Sequence, residues 1–279
     1  MIYGVLAGLA ALAAWGVADF LSIKPVRING ALRALVYSQL FGLPLLLAFG
    51  LLNGFALPNA HGFFLALAAG AFCGAGYAFF FKSLETGRAS VVTTVAAASG
   101  LLTALLAILF LGDVLGTAGY AGLLLLFAGV VLASLKPDAG KRPALHSGML
   151  PALGALLSWG IGFYLLKLLA DSAGAGAAFF WSSLAGLLFV AAFALLSRAD
   201  LRPPKHAPNL AAVAALGLIG NYAYLAGVSV DLVSLVAPVS SAYPAVTILL
   251  AHFLLRERLV AGQYAGIAFI LSGVILLSI

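Results

Sequence analysis

Apolar residues fill this chain in blocks of about 20, each closed by a short cluster of Gly, Pro, Asn or charge. The blocks predict helices over 2–22, 32–52, 61–82, 89–111, 115–135, 148–170, 176–197, 209–229, 232–255 and 259–278. At a rise of about 1.5 Å per residue, each is close to the length that crosses a hydrocarbon layer of about 30 Å. The breaks fall at Lys24-Pro25, Asn53-Gly54, Leu57-Pro58-Asn59, Gly112-Asp113, Lys136-Pro137-Asp138, Pro203-Pro204 and Arg256-Glu257-Arg258. The longest connections, 136–147 and 198–208, carry Lys, Arg and Pro and are expected at a surface.

Composition turns ten apolar helices into a membrane protein. Of 279 residues, 64% are apolar and 8% charged, with a mean hydropathy of +1.18. Ten spans use about 210 residues and leave about seven for each connection, so no soluble catalytic domain fits. A net charge of +6 could suggest nucleic acid, but the basic residues stand singly or in pairs in short connections and form no basic face. Cys73 is the one cysteine, which excludes an intrachain disulfide and a cysteine metal site. The first block has no basic residue before it and reads as a mature helix rather than a secretory signal. There is no phosphate-binding loop, no His and carboxylate cluster at metal spacing and no Gly-x-Ser-x-Gly elbow, so neither an enzyme nor a cofactor or metal is expected.

The chain is also written twice. Trp15-Gly16 recurs as Trp159-Gly160, an offset of 144 (159 − 15). Without a gap, that offset pairs Ser38 with Ser182, Gly42 with Gly186, Phe49 with Phe193, Gly76 with Gly220, Thr103 with Thr247 and Asp113 with Glu257. It also pairs Tyr120-Ala121-Gly122 with Tyr264-Ala265-Gly266 and Gly129-Val130 with Gly273-Val274. Roughly three in ten positions are identical. The predicted organisation is a five-helix unit over 1–135, a connection over 136–147 and a second unit over 148–279. Five is odd, so the second unit enters the bilayer from the opposite side: an all-α fold of ten transmembrane helices in two inverted five-helix repeats.

Charge fixes an orientation for that fold. Thirteen of the 14 Lys and Arg lie in or beside the first, third, fifth, seventh and ninth connections, Lys167 being the exception. The repeat-equivalent loops 53–60 and 198–208 carry none and three respectively, as inversion requires. The positive-inside rule then puts both termini outside.

These features resemble the drug/metabolite transporter superfamily in its ten-helix form with two EamA-type repeats. The resemblance rests on Ala14-Trp15-Gly16 followed by Lys24, and on Ser158-Trp159-Gly160 followed by Lys167. It also rests on Ala89-Ser90-Val91-Val92 through Leu111-Gly112-Asp113, on Ser234-Leu235-Val236-Ala237-Pro238 through Arg256-Glu257-Arg258-Leu259, and on Tyr243-Pro244-Ala245-Val246. It covers nearly the whole chain and implies export or import of small organic solutes at a bacterial cytoplasmic membrane. Two departures stand out. Asp113 occupies a position where the family has Glu, and Gly100 stands opposite Pro244. The family's habit also keeps both termini in the cytoplasm, against the loop charges here.

Polar side chains near the bilayer midplane need a partner or a wet cavity. Those expected there are Trp15, Gln39, Tyr77, Ser99, Thr103, Trp159, Asn221, Tyr222, Tyr224, Ser240, Ser241 and Tyr243. Of these, Trp15, Tyr77, Ser99, Trp159, Asn221, Tyr222, Ser240 and Tyr243 are the candidate substrate site, with rings for apolar and cation contact and hydroxyls and an amide for orientation. Pro238 and Pro244, with Gly100 in the mate helix, are the candidate kink and gate positions. Asp19 is the acidic candidate for proton coupling, placed about 10 Å from the middle of a helix ending at residue 22, within reach of Lys24 or Lys82. Lys167 and His252 read as interfacial anchors, and Glu257 as a local ion pair with its flanking arginines.

The expectation is a transporter of small organic metabolites, amino acids or other amphipathic and aromatic solutes first, working outward by alternating access around a midplane pocket. A proton-coupled exporter of organic cations and a non-transporting scaffold or lipid-handling protein are the competing readings. The expected partners are a small solute and the bilayer, with no nucleic acid and the chain as a monomer.

Overall fold

The computed structural model describes residues 2–134, 148–255 and 260–279, and every regular element among them is helical. The first repeat comprises α1 (Ile2–Asn29), α2 (Ala31–Leu52), α3 (Ala60–Thr86), α4 (Ala89–Ala97), α5 (Ser99–Leu106) with a π-helical turn over Ala107–Leu111, and α6 (Thr117–Ser134). The second comprises α7 (Met149–Ala173), α8 (Ala175–Leu196), α9 (Ala207–Val228), α10 (Val233–Ser241), α11 (Pro244–Leu255) and α12 (Ala261–Ser278). Counting α4 with α5 and α10 with α11, nine spans among the described residues are long and apolar enough to cross a membrane, and Thr117–Ala133 supplies a shorter tenth. The expected ten-helix, two-repeat architecture is therefore present. Glu257 and the 136–147 connection fall outside the described residues.

Two boundaries differ from expectation for one reason. Lys24-Pro25 and Lys82 were expected to end helices, but α1 runs through Pro25 to Asn29 and α3 runs on to Thr86. Charge at the membrane surface ends the apolar stretch without ending the backbone hydrogen bonds, and Lys82 pairs with Glu85 at 2.8 Å on the protruding last turn.

The third difference is deeper. The fourth and ninth spans are each broken, at Ala98 and at Ala242-Tyr243, which are the same position in the two repeats. Pro244 opens α11, where its missing N–H is harmless, so proline explains the second break. The first has no proline, and two tight turns that meet at Ala98, from Val95 to Ala98 and from Ala98 to Leu101, make it. The halves interlock, α5 packing on α10 and α4 on α11. The π turn after α5 ends at Gly112, whose φ of 72° only glycine adopts freely.

Packing follows the two-fold relation between inverted copies. α1 lies along α9 as its mate α7 lies along α3, and α2 meets α9 as α8 meets α3. α6 and α12 pack on each other, with Gly129 against the Gly266 carbonyl and Gly122 against the Gly273 carbonyl. Backbones approach this closely only where no side chain intervenes. At one end, the polar connections are tied together. Arg33 pairs with Asp200, Arg27 donates to the Leu84 and Gly87 carbonyls at 3.3 and 3.2 Å, and Asn29 exchanges hydrogen bonds with the Lys205 backbone at 2.7 and 2.9 Å. Gly148 abuts Gly87 there as well.

Candidate functional site

The two Trp-Gly pairs work as crossing points between repeats. The Trp15 indole lies on Gly220 of α9 and Trp159 on Gly76 of α3; a β-carbon at either glycine would overlap the ring. The next residue completes the crossing. The Gly16 carbonyl accepts a hydrogen bond from the Thr247 hydroxyl, and Gly160 accepts one from Thr103, both at 3.0 Å. Thr103, expected among cavity polar groups, is instead a fully buried cross-repeat tie.

Between these crossings lies a central hollow with two lobes that share Tyr77, Phe81, Trp159, Phe163, Val213 and Gly217. Counting space open to solvent in both, the larger lobe spans about 890 Å³ and the smaller about 460 Å³. Repeat mates on α2 and α8 line the larger one symmetrically: Ser38 with Ser182, Gln39 with Ser183, Gly42 with Gly186 and Leu43 with Leu187. Trp15, Asp19 and Tyr243 line the smaller one. Among the described residues, no Lys, Arg or His contributes to either lining.

Aromatic geometry dominates the walls. Phe163 stacks nearly parallel on Trp15, with ring centroids 5.3 Å apart and planes 14° apart, and on Trp159 at 6.4 Å and 16°. Tyr77 meets Trp159 edge-on at 5.2 Å, and Tyr243 meets Trp15 edge-on at 6.4 Å. The Trp15 indole N–H donates to Asn221 Oδ1 at 3.2 Å, which fixes both side chains. Five of the eight candidate substrate residues, Trp15, Tyr77, Trp159, Asn221 and Tyr243, thus line one hollow.

The other three do not. Tyr222 is 41% exposed and packs edge-on against Phe49 and Phe179, away from the hollow. One residue after Asn221, it points about 100° away around the helix, whereas Tyr224 is fully buried on the inner face beside Phe163. Ser99 is buried near the helix break, and Ser240 donates to its own helix at the Ala237 carbonyl. Gly100 packs against Ser241 and the Ala237 carbonyl, so it, Pro238 and Pro244 sit in or beside the interlocked broken helices rather than in the cavity wall. Phe163 and Ser183 were not foreseen. Phe163 lies one turn beyond Trp159 on the same face, the signal that would have found it.

Asp19 is placed differently from the expectation. With α1 extending to Asn29, it lies about 5 Å along the axis from the helix middle rather than near an end. It makes no ion pair among the described residues: Lys82 is held by Glu85 and Lys24 is exposed. Its Oδ2 is buried without a hydrogen-bond partner, beside Tyr243, whose hydroxyl is buried in the same state. Lys167, expected as an anchor, pairs with Asp171 at 2.6 Å near the end of α7. Asp113, the repeat mate of Glu257, accepts from both the backbone N–H and the hydroxyl of Ser234, at 2.9 and 2.8 Å, and so caps α10 from the first repeat.

A pseudo-symmetric bundle of apolar spans around a central hollow is the architecture of a multi-pass membrane protein. The chain belongs to the EamA-like transporter family, whose sequence profile matches residues 2–135 and again 146–279. It is similar to a solved crystal structure at 22% identity, with a TM-score of 0.79 over 99% of this chain and 98% of the other. At that identity the likeness speaks for the fold alone. No curated protein sequence matches the chain. Family membership makes it a membrane transporter of the drug/metabolite type and favours that reading over a scaffold or an enzyme.

Proposed function

We propose that the chain is a secondary transporter that carries small organic solutes with an apolar or aromatic body, outward across a bacterial cytoplasmic membrane, by rocking its two inverted repeats about the central hollow. The observation that carries this reading is the aromatic cavity itself, built where the repeats meet, with Trp15, Trp159, Tyr77 and Tyr243 as apolar walls and Asn221 as an orienting amide. Interhelical glycine contacts and helices broken at Ala98 and Ala242 supply elements that can shift without unfolding.

The reading includes both termini outside. Arg27, Arg33, Arg88, Arg198, Arg202 and Lys205 lie on or beside connections gathered at one end of the bundle, and that end is assigned to the cytoplasm. A single cysteine introduced beside Ile279, in a Cys73→Ala background, is expected to react with an impermeant maleimide in intact cells. Protection until lysis reverses the orientation.

The test of the transport reading compares flux in reconstituted vesicles for Trp159→Leu, in the hollow, and Tyr222→Leu, outside it. A drop in the first alone supports it; equal flux in both, with folded yield intact, removes the cavity from the transport path.

A further inference from the structure

We propose that Asp19 is the counter-ion for a positively charged amine on the transported solute, so that the cavity takes amines on an aromatic or apolar body in preference to zwitterionic or neutral molecules of the same body. The inference rests on the transport reading above and narrows it. A carboxylate moved out of water without a partner costs several kcal/mol, and proteins keep such groups where something arrives to satisfy them. Asp19 is in that position: Oδ2 is buried and unpaired, no basic side chain of the described residues meets it, and the residue lines the hollow.

The rest of the wall suits an ammonium with a ring attached. Trp15, Tyr77, Trp159 and Tyr243 surround the same lobe, and aromatic faces attract cations as well as apolar bodies. An ammonium beside a carboxylate forms a charge-assisted hydrogen bond, roughly twice as strong as a neutral one. The negative end of a zwitterion finds no such complement among the described residues, where neither lobe is lined by Lys, Arg or His and the donors are neutral ones such as the Asn221 amide. Asymmetry between the repeats strengthens the assignment. The repeat mate of Asp19 is Phe163 (19 + 144), so one half of the hollow offers a charge and the other a ring. A helix-spacing residue or a lipid-headgroup anchor has no reason to face this way.

The experiment measures binding to purified protein, by thermal shift and equilibrium titration, of phenethylamine, phenylalanine and 2-phenylethanol, and of tryptamine, tryptophan and tryptophol. Wild type is expected to bind the amines at least about tenfold more tightly than the alcohols or amino acids, and Asp19→Asn, close to isosteric, to lose that preference while still binding the alcohols. Equal affinity for amine and alcohol in wild type overturns the proposal, as does an amine preference that survives in Asp19→Asn. Both results leave the aromatic cavity, and hence the transport reading, standing. Should Asp19→Asn not fold, the wild-type order of affinities decides alone. Wild type that binds none of the six, with flux insensitive to Trp159→Leu, removes both proposals together.

Discussion

The Thr103 hydroxyl donates to the Gly160 carbonyl at 3.0 Å, joining the fourth span of the first repeat to the first span of the second. The bond recurs with the repeats exchanged, the Thr247 hydroxyl donating to the Gly16 carbonyl, also at 3.0 Å. Buried hydrogen bonds between membrane helices contribute about 0.5–1.5 kcal/mol each. Thr103→Val and Thr247→Val are each expected to lower stability by about that amount, and because the sites are separate, the double variant by about the sum. Thermal unfolding in detergent checks this; a double variant no less stable than either single one refutes independent ties.

Gly76→Ala and Gly220→Ala place a methyl group where an indole now lies. Each is expected to cost about 1–3 kcal/mol through displacement of Trp159 or Trp15. Tryptophan fluorescence should shift as the ring leaves its stacked position on Phe163. An unchanged emission spectrum with unchanged melting temperature contradicts the crossing geometry.

Asp113→Ala removes the acceptor for two donors of Ser234 at the start of α10. A lost cap costs about 1 kcal/mol, and the first amides of α10 should exchange faster with deuterium. Ser234→Ala keeps the backbone arm of the contact and should have the smaller effect.

Asn221→Leu deprives the Trp15 indole N–H of its acceptor within the cavity wall. The expected result is a loss of about 1–3 kcal/mol of stability together with reduced solute binding, the first from an unmet donor and the second from a turned ring. Tyr222→Leu, its sequence neighbour, should change binding little, since its ring faces Phe49 and Phe179. Parallel losses in both variants count against the division between inner and outer faces.

The repeat, the spans and the charged end were legible because period, length and charge are written in the sequence itself. The break at Ala98 was not, since no proline marks it; it shows in how α4 and α5 interlock with the second repeat. The depth of Asp19 was obscured by Lys24-Pro25, which looks like a helix end and lies inside α1. Tyr222 was grouped with Asn221 because it sits at the same depth, yet depth does not say which way a side chain turns. Tyr224, three residues from Asn221, shares its inner side.

Mates that face the hollow differ in places: Asp19 with Phe163, Tyr77 with Asn221, and Gln39 with Ser183. The mates that join the halves, Trp15 with Trp159, Gly76 with Gly220 and Thr103 with Thr247, are identical. Cargo preference can therefore drift through lineages by single changes in one copy, while the joints that both copies must honour stay under common restraint.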